Sequence, residues 1–288
     1  MPIILGTGAS EAIPSPFCNC EVCNNARAKG GKERRTRCDF MIDEKNFIDY
    51  CPDIVTQAND LGLHMSELRN IFLTHFHDDH LDITDLCIMR SRIPAEEFTV
   101  NIYGSKAALD IAKDIMALYR PHPVSDKPNP YFRHLNFVTL EPYVEIETEG
   151  IKVTPIMSSH VGYGENEMGY NYIVSKNGKT FLYATDTGWY DENTWNYFAE
   201  NDVKFDYVVI ENTYGKRELP TYQRGHLDNK NVLLMLEKMC ELKKITKETP
   251  VYLTHMCHIA GTHESLCEFF GNTEWNVIVG YDYLKIED

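Results

Sequence analysis

No segment of this chain approaches the roughly 20 consecutive apolar residues that a membrane-spanning helix requires. The stretch Met1-Pro2-Ile3-Ile4-Leu5-Gly6 has no basic region leading into a long apolar run, so no export signal is expected. The sequence therefore reads as soluble and cytoplasmic, without a membrane partner. Positive charge is also scarce: 28 Lys and Arg stand against 43 Asp and Glu, a formal net charge of −15. That balance disfavours an electrostatically driven nucleic-acid binder, which presents basic surface to phosphate backbones, and favours a small substrate. The nine cysteines are an odd number in a reducing compartment, which argues against a disulfide framework and leaves metal ligation and buried thiols to account for them. Internal repeats, low-complexity tracts and a clear linker are lacking too. At 288 residues with 43% hydrophobic content, the chain is expected to form one catalytic domain over residues 1–288.

Strand and helix signals alternate along the chain, as in a layered α/β protein. Helices are expected over Ser105–Tyr119 behind a Ser cap, over Asn229–Lys243, after His80, and over Thr262–Phe270. The proline-rich stretch Pro121–Pro130 predicts an irregular surface excursion that could border a pocket. A basic cluster, Lys29, Lys32, Arg34, Arg35 and Arg37, reads first as a solvated loop and second as a local anion-attracting patch.

The chemistry is concentrated in Thr74-His75-Phe76-His77-Asp78-Asp79-His80, which follows the apolar strand signal Asn70-Ile71-Phe72-Leu73. In extended backbone His75 and His77 face one side while Phe76 points into the core, and Asp79 and His80 fall at the turn into the next helix. Three further candidates sit at the ends of strand-like runs: His160 after Ile151–Met157, Asp186 after Phe181–Thr185, and His255 after Val251–Thr254. Strand ends of an open sheet let side chains from distant segments converge. The expected division is His75, His77 and His160 on one ion, Asp79, His80 and His255 on a second, with Asp186 bridging. Imidazole and carboxylate suit two divalent ions, zinc or manganese and possibly iron, which activate water near neutral pH. Asp78 is read as solvated, since its neighbour supplies the ligand.

This pattern resembles the metallo-β-lactamase fold superfamily. The resemblance implies an αββα sandwich, two mixed β-sheets flanked by helices, with a dinuclear site at one edge. Asp79 matches the hydrolase branches, whereas the oxygen-reducing diiron branch usually carries Glu at that place.

A second cluster, Cys18-Asn19-Cys20-Glu21-Val22-Cys23, offers three thiolates within six residues, suited to a tetrahedral structural zinc. From the residues alone, either His258 or Cys257 could be the fourth ligand. Together with Leu5-Gly6-Thr7-Gly8-Ala9, the cysteine run resembles the phosphoribosyl cyclic phosphate phosphodiesterase branch, and that resemblance implies Cys18, Cys20, Cys23 and His258. Gly6-Thr7-Gly8 lacks a full phosphate-loop pattern and is read as a tight turn.

Arg224-Gly225-His226-Leu227 resembles the branch's segment carrying an active-site histidine, which implies His226 as general acid or phosphate contact. His64, His122, His134 and His263 match no motif position. With Asp79 and His226 as catalytic residues, the expectation is a metal-dependent phosphodiesterase acting on a small or cyclic phosphodiester. The alternatives are an ester, lactone or thioester hydrolase of the same fold, and a non-catalytic metal-binding accessory protein resembling the PqqB factor of quinone-cofactor biosynthesis. A homodimer is expected only because two-fold assemblies are the commonest.

Overall fold

The computed structural model describes residues 1–91, 99–119, 134–161 and 168–287; the expected excursion at Pro121–Pro130, with His122, lies outside them. Two seven-stranded sheets face each other. The first holds β1 (Ile3–Gly6), β2 (Asp39–Asp43), β3 (Asn46–Ile48), β4 (Asn70–Phe72), β5 (Val100–Gly104) and β6 (Leu135–Thr139), with β14 (Leu284–Lys285) on the far edge beside β1. The second runs from β7 (Ile146–Thr148) through β8 (Ile151–Val161), β9 (Met168–Lys176), β10 (Lys179–Ala184), β11 (Tyr207–Glu211) and β12 (Val251–Thr254) to β13 (Val277–Val279).

Strand alternation explains the layering, because successive side chains leave a strand on opposite faces. On β10, Phe181 and Tyr183 enter the layer between the sheets, while Leu182 and Ala184 face the outer helices; on β11, Tyr207 and Val209 pair inward and Val208 and Ile210 outward. The inter-sheet layer also takes Phe40, Ile42, Phe72 and Tyr172. Helices α2 (Ile54–Leu61), α3 (Ile83–Ser91) and α4 (Lys106–Tyr119) cover the first sheet through Ile54, Leu86, Leu109 and Met116. Helices α5 (Glu192–Glu200), α6 (Asn229–Glu241) and α7 (His263–Gly271) cover the second through Phe198, Leu236 and Phe270. The architecture is thus the expected αββα sandwich. Removing one large inter-sheet side chain, as in Phe72→Ala, is expected to cost about 3–5 kcal/mol.

Helix α4 begins as expected, with Ser105 Oγ accepting from Ala108 N at 3.1 Å. Helix α1 (Glu21–Lys29), led by Cys20, was not foreseen; nor were α2 and α5. The Gly6-Thr7-Gly8 segment is not a tight turn. It continues extended beside the chain at 35–37, and a Cβ on Gly6 would lie 1.8 Å from Arg37 O, so glycine here permits close backbone approach.

The basic cluster is mostly engaged within the fold. Arg35 is buried and donates to Thr7 Oγ1 and Gly280 O, both at 2.7 Å. Arg37 pairs with Asp53 at 3.2 Å, Lys29 with Glu264 at 3.0 Å, and Lys32 lies over the Tyr281 ring. Among the described residues, no helix is long and apolar enough to cross a membrane.

Candidate metal centre

Strands β3 and β4 run parallel in the first sheet, and β10, β11 and β12 run parallel in the second. Strand β8 points the same way as β10, since each is antiparallel to β9 between them. Their carboxyl ends therefore open on one edge. His75 and His77 follow β4, Asp186 follows β10, and His255 follows β12. His160 differs from expectation in detail: it lies within β8, in the irregular stretch between Met157 and Val161, not beyond the strand's end.

The seven side chains meet as two groups sharing Asp186. His77 Nδ1 lies 2.7 Å from His75 Nε2 and 3.3 Å from His160 Nε2. His80 Nε2 lies 3.3 Å from His255 Nε2 and 3.4 Å from Asp79 Oδ2. Asp186 spans the two, with Oδ2 at 2.8 Å from His80 Nε2 and 3.2 Å from His255 Nε2, and Oδ1 at 3.9 Å from His160 Nε2. Asp186 Oδ2 is buried without a hydrogen bond of its own despite these neighbours. Acceptors gathered around a common point, instead of aimed at one another, are what a cation between them satisfies. The donor set thus fits divalent metal.

Groups behind the ligands fix which nitrogen faces inward. His80 Nδ1 donates to Asp49 Oδ2 at 2.7 Å, and Asp49 Oδ1 accepts from the Thr74 amide at 2.8 Å. Thr74 Oγ1 can donate to Asp49 and accept from His75 Nδ1, 3.1 Å away. On the other side Thr213 Oγ1 donates to Glu211, which leaves it to accept from His255 Nδ1 at 2.9 Å. His160 Nδ1 donates to Gly225 O at 3.2 Å. Four histidines are thereby left with Nε2 toward the centre, the usual way an outer partner orients a metal-ligating imidazole. Asp49, Asp186 and His255 hold positive φ values of 66°, 48° and 53°, backbone strain concentrated at the site.

The electrostatics of the chain alone already separate the roles. Burial opposes charge on Asp79 and Asp186, yet the surrounding imidazoles hold both carboxyls below their ordinary range. Burial keeps His75 neutral, whereas Asp186, Asp79 and Asp49 overcome the burial of His80 and raise it. His226 behaves likewise: burial disfavours its charge, but Glu211 lifts its pKa to about 9. Glu211 is fully buried, lies 3.0 Å from His226 Nδ1 through Oε1, and also accepts the Thr187 and Leu227 amides.

His77, Asp79, His160, Asp186, His226 and His255 line a cavity of about 400 Å³, with Glu11, Tyr214, Arg217 and His258 on its outer wall. Asp49, Glu211, Thr213 and Arg217 carry no motif signal. The one clue to the first two is position, since each stands at or just past the end of a strand that borders a ligand-bearing strand.

The cysteine cluster forms a separate group. Cys18, Cys20, Cys23 and His258 place one ligand atom each within 4.8 Å of all the others. His258 Nδ1 is 3.0 Å from Cys18 Sγ and 3.7 Å from both Cys20 Sγ and Cys23 Sγ. Zinc bonds of about 2.3 Å to sulfur and 2.0 Å to nitrogen give tetrahedral edges of roughly 3.5 Å, which this group approaches. Cys257 is not in that group; it lines the catalytic cavity instead. His64 is exposed, His134 is buried, and His263 opens α7 with Nδ1 3.2 Å from Arg35 Nη2, so none of the three joins either cluster.

Comparison with known proteins agrees with this geometry. Residues 47–256 match the Beta-lactamase superfamily domain. An octanoyltransferase of Porphyromonas gingivalis is 26% identical over 182 residues, 58% of this chain but 33% of that protein, so the chain spans about a third of that relative. Among solved structures, a diphosphatase from the PhnP family superposes with a TM-score of 0.74 at 21% identity, over 100% of this chain and 97% of the other. Zinc-bound PqqB from Methylobacterium extorquens superposes with a TM-score of 0.68 at 16% identity, over 99% and 100%.

Proposed function

From the premise that this chain belongs to the beta-lactamase superfamily, we propose that it is a metal-dependent phosphodiesterase acting on a small or cyclic phosphodiester. The observation that carries the reading is the convergence of five histidines and two aspartates beside His226, whose Nδ1 lies 3.8 Å from Asp186 Oδ1. His75, His77 and His160 would hold one ion and Asp79, His80 and His255 the other, with Asp186 between them; zinc and manganese both suit the donors. Bound there, two divalent ions supply Lewis-acid activation of a phosphoryl group and of water near neutral pH. Glu211 orients His226 through Nδ1 and favours its protonated form, leaving Nε2 to give a proton to the departing oxygen. Gly225 O and the β8 backbone keep His160 beside that histidine, ring centroids 4.7 Å apart. The cavity suits a small ester better than a long polyanion. The Cys18, Cys20, Cys23 and His258 group would hold a structural zinc.

The test is hydrolysis of bis(4-nitrophenyl) phosphate by the purified protein reloaded with manganese or zinc, with Asp186→Ala as the blank. Turnover lost in the variant supports the reading; no turnover with either metal overturns it.

A second reading, thioester or carboxylic-ester hydrolysis, is favoured by the similarity to a protein named octanoyltransferase. The His, Asp and Arg lining gives an octanoyl chain little apolar surface to bury, which weighs against it. Release of thiol from an octanoyl thioester at a rate above that of the phosphodiester would make it the better description.

A further inference from the structure

The cavity that holds the metal ligands has one permanently charged cation among its described lining residues, Arg217. Its guanidinium carbon lies 5.6 Å from the centroid of the Tyr214 ring, and the described residues give it no carboxylate partner. In a chain of net charge −15, an arginine at a cavity wall that forms no ion pair with a described carboxylate leaves its donors free for a ligand. Glu11, on the same wall, is already engaged: Oε1 accepts the His258 amide at 3.0 Å and Oε2 accepts from Ser10 Oγ at 3.4 Å.

The turn that carries Arg217 is held from several sides. Arg217 N donates to Tyr214 O at 2.9 Å, Lys216 N donates to Ala260 O at 2.8 Å, and Tyr214 N donates to Leu227 O at 2.9 Å. Gly215, at φ +50°, packs so closely that a Cβ would lie 2.2 Å from Ala260 O. The backbone beneath the guanidinium is therefore fixed relative to the site. Tyr214 also places Arg217 within the chemistry, because its ring lies 5.9 Å from that of His226. The order across the wall is His226, Tyr214, Arg217, which sets the guanidinium beyond the group assigned to protonate the leaving oxygen.

We propose that Arg217 is the specificity-determining residue of this site and binds an anionic group, phosphate or carboxylate, carried by the leaving-group half of the substrate. Arginine recognises either anion through paired N–H donors, and stacking on Tyr214 limits the motion lost on binding. The proposal rests on the phosphodiesterase reading and on His226 marking the leaving-group side.

The experiment compares two chromogenic diesters with the metal-loaded protein: thymidine 5′-(4-nitrophenyl phosphate) and its counterpart with a 3-carboxy-4-nitrophenyl leaving group. Wild type is expected to favour the carboxylated ester in kcat/KM by about tenfold, the worth of roughly one charge-assisted contact. The ratio should fall toward unity in Arg217→Met and lie between in Arg217→Lys, with metal content and melting temperature checked in each. If Arg217→Met fails to fold, the wild-type ratio is measured from low to high salt; at an exposed guanidinium it should shrink as salt rises. A wild-type ratio near unity, a ratio unchanged in a folded Arg217→Met, or a ratio indifferent to salt overturns the proposal and leaves the phosphodiesterase reading standing. Hydrolysis of neither ester overturns both.

Discussion

Glu211 Oε1 lies 3.0 Å from His226 Nδ1, and the carboxylate is fully buried while the imidazole lines the catalytic cavity. Four other donors fix the same carboxylate: the amides of Thr187, Thr213 and Leu227 and the Thr213 hydroxyl. These contacts hold the carboxylate in place against the His226 ring, where it favours the charged imidazole. Glu211 and Thr213, at the end of β11 and just past it, thus back both His226 and His255.

The sign of the pH dependence follows. Burial lowers the affinity of His226 for its proton, but Glu211 outweighs it and the pKa reaches about 9. The acid form is therefore depleted as pH rises, giving an alkaline limb in kcat. Glu211→Gln keeps an oxygen near Nδ1 and removes the charge, so the limb should move to lower pH with the same metal loaded. The same pair should stabilise the metal-free fold below the ordinary histidine pKa of about 6.5, and that contribution should vanish as pH rises through about 9. Profiles of kcat against pH that coincide for the variant and wild type would show that Glu211 does not set the acid.

Asp49 should matter nearly as much as a ligand. It holds His80 at 2.7 Å and the Thr74 amide at 2.8 Å, so Asp49→Ala frees the His80 ring to rotate and to change tautomer. Losses of about 10–100-fold in metal affinity are expected from such outer partners. Competition with a chromogenic chelator measures this directly, and an affinity equal to wild type would assign Asp49 to folding alone.

How far the site could be read from the sequence depends on how its residues signal themselves. The His75–His80 run is legible because five ligand-type side chains crowd into six positions, and His160, Asp186 and His255 because each ends a strong apolar strand signal. Asp49 ends a strand too, but one carboxylate after three ordered strand residues has no pattern to set it apart. Glu211 stands at a strand end but gains its partner only where β11 meets His226, and the turn carrying Arg217 is fixed only where it meets the segment around Ala260, tertiary facts that no motif carries. In the fold, the apolar runs Phe181–Thr185 and Val251–Thr254 were readable as strands, as was the Ser105 cap. Helix α2 was not, since Ile54, Val55 and Thr56 are β-branched and only packing of Ile54 and Leu61 on the first sheet overrides their weak helix propensity. Helix α1 owes its start to Cys20, whose sulfur accepts the Cys23 amide, a capping role that a cysteine does not advertise.

At the end of the sheet remote from the metal ligands, four asparagines stack across neighbouring parallel strands. Asn70 Nδ2 donates to Asn46 Oδ1 at 2.7 Å, Asn101 Nδ2 to Asn70 Oδ1 at 2.9 Å, and Asn136 Nδ2 to Asn101 Oδ1 at 3.0 Å. Asn70 is wholly buried, so Asn70→Ala strands Asn46 Oδ1 and Asn101 Nδ2 at once. A loss of about 1–3 kcal/mol in denaturant unfolding is expected, with kcat/KM retained because the ladder and the ligands occupy opposite strand ends. Unchanged unfolding midpoints would mean the ladder contributes nothing net.

The cysteine cluster carries the last prediction, which turns on protons. Without a metal, Cys20 and Cys23 do not ionise together. Burial disfavours the Cys20 thiolate, but hydrogen bonds from the Cys23 amide and its cluster neighbours bring its pKa down to about 7, while burial drives the Cys23 thiol up to about 12. Zinc must displace those protons to bind, so its affinity at this site should weaken as pH falls. Cys20→Ser removes one of the four proposed zinc ligands while its hydroxyl can still cap α1, and should lose one zinc equivalent and lower the melting temperature. His258 ties the cluster to the catalytic cavity it also lines, so turnover of that variant should fall less than its stability. Zinc content by elemental analysis beside a melting curve decides the matter, and a variant with wild-type zinc and wild-type melting would remove the structural metal from the account.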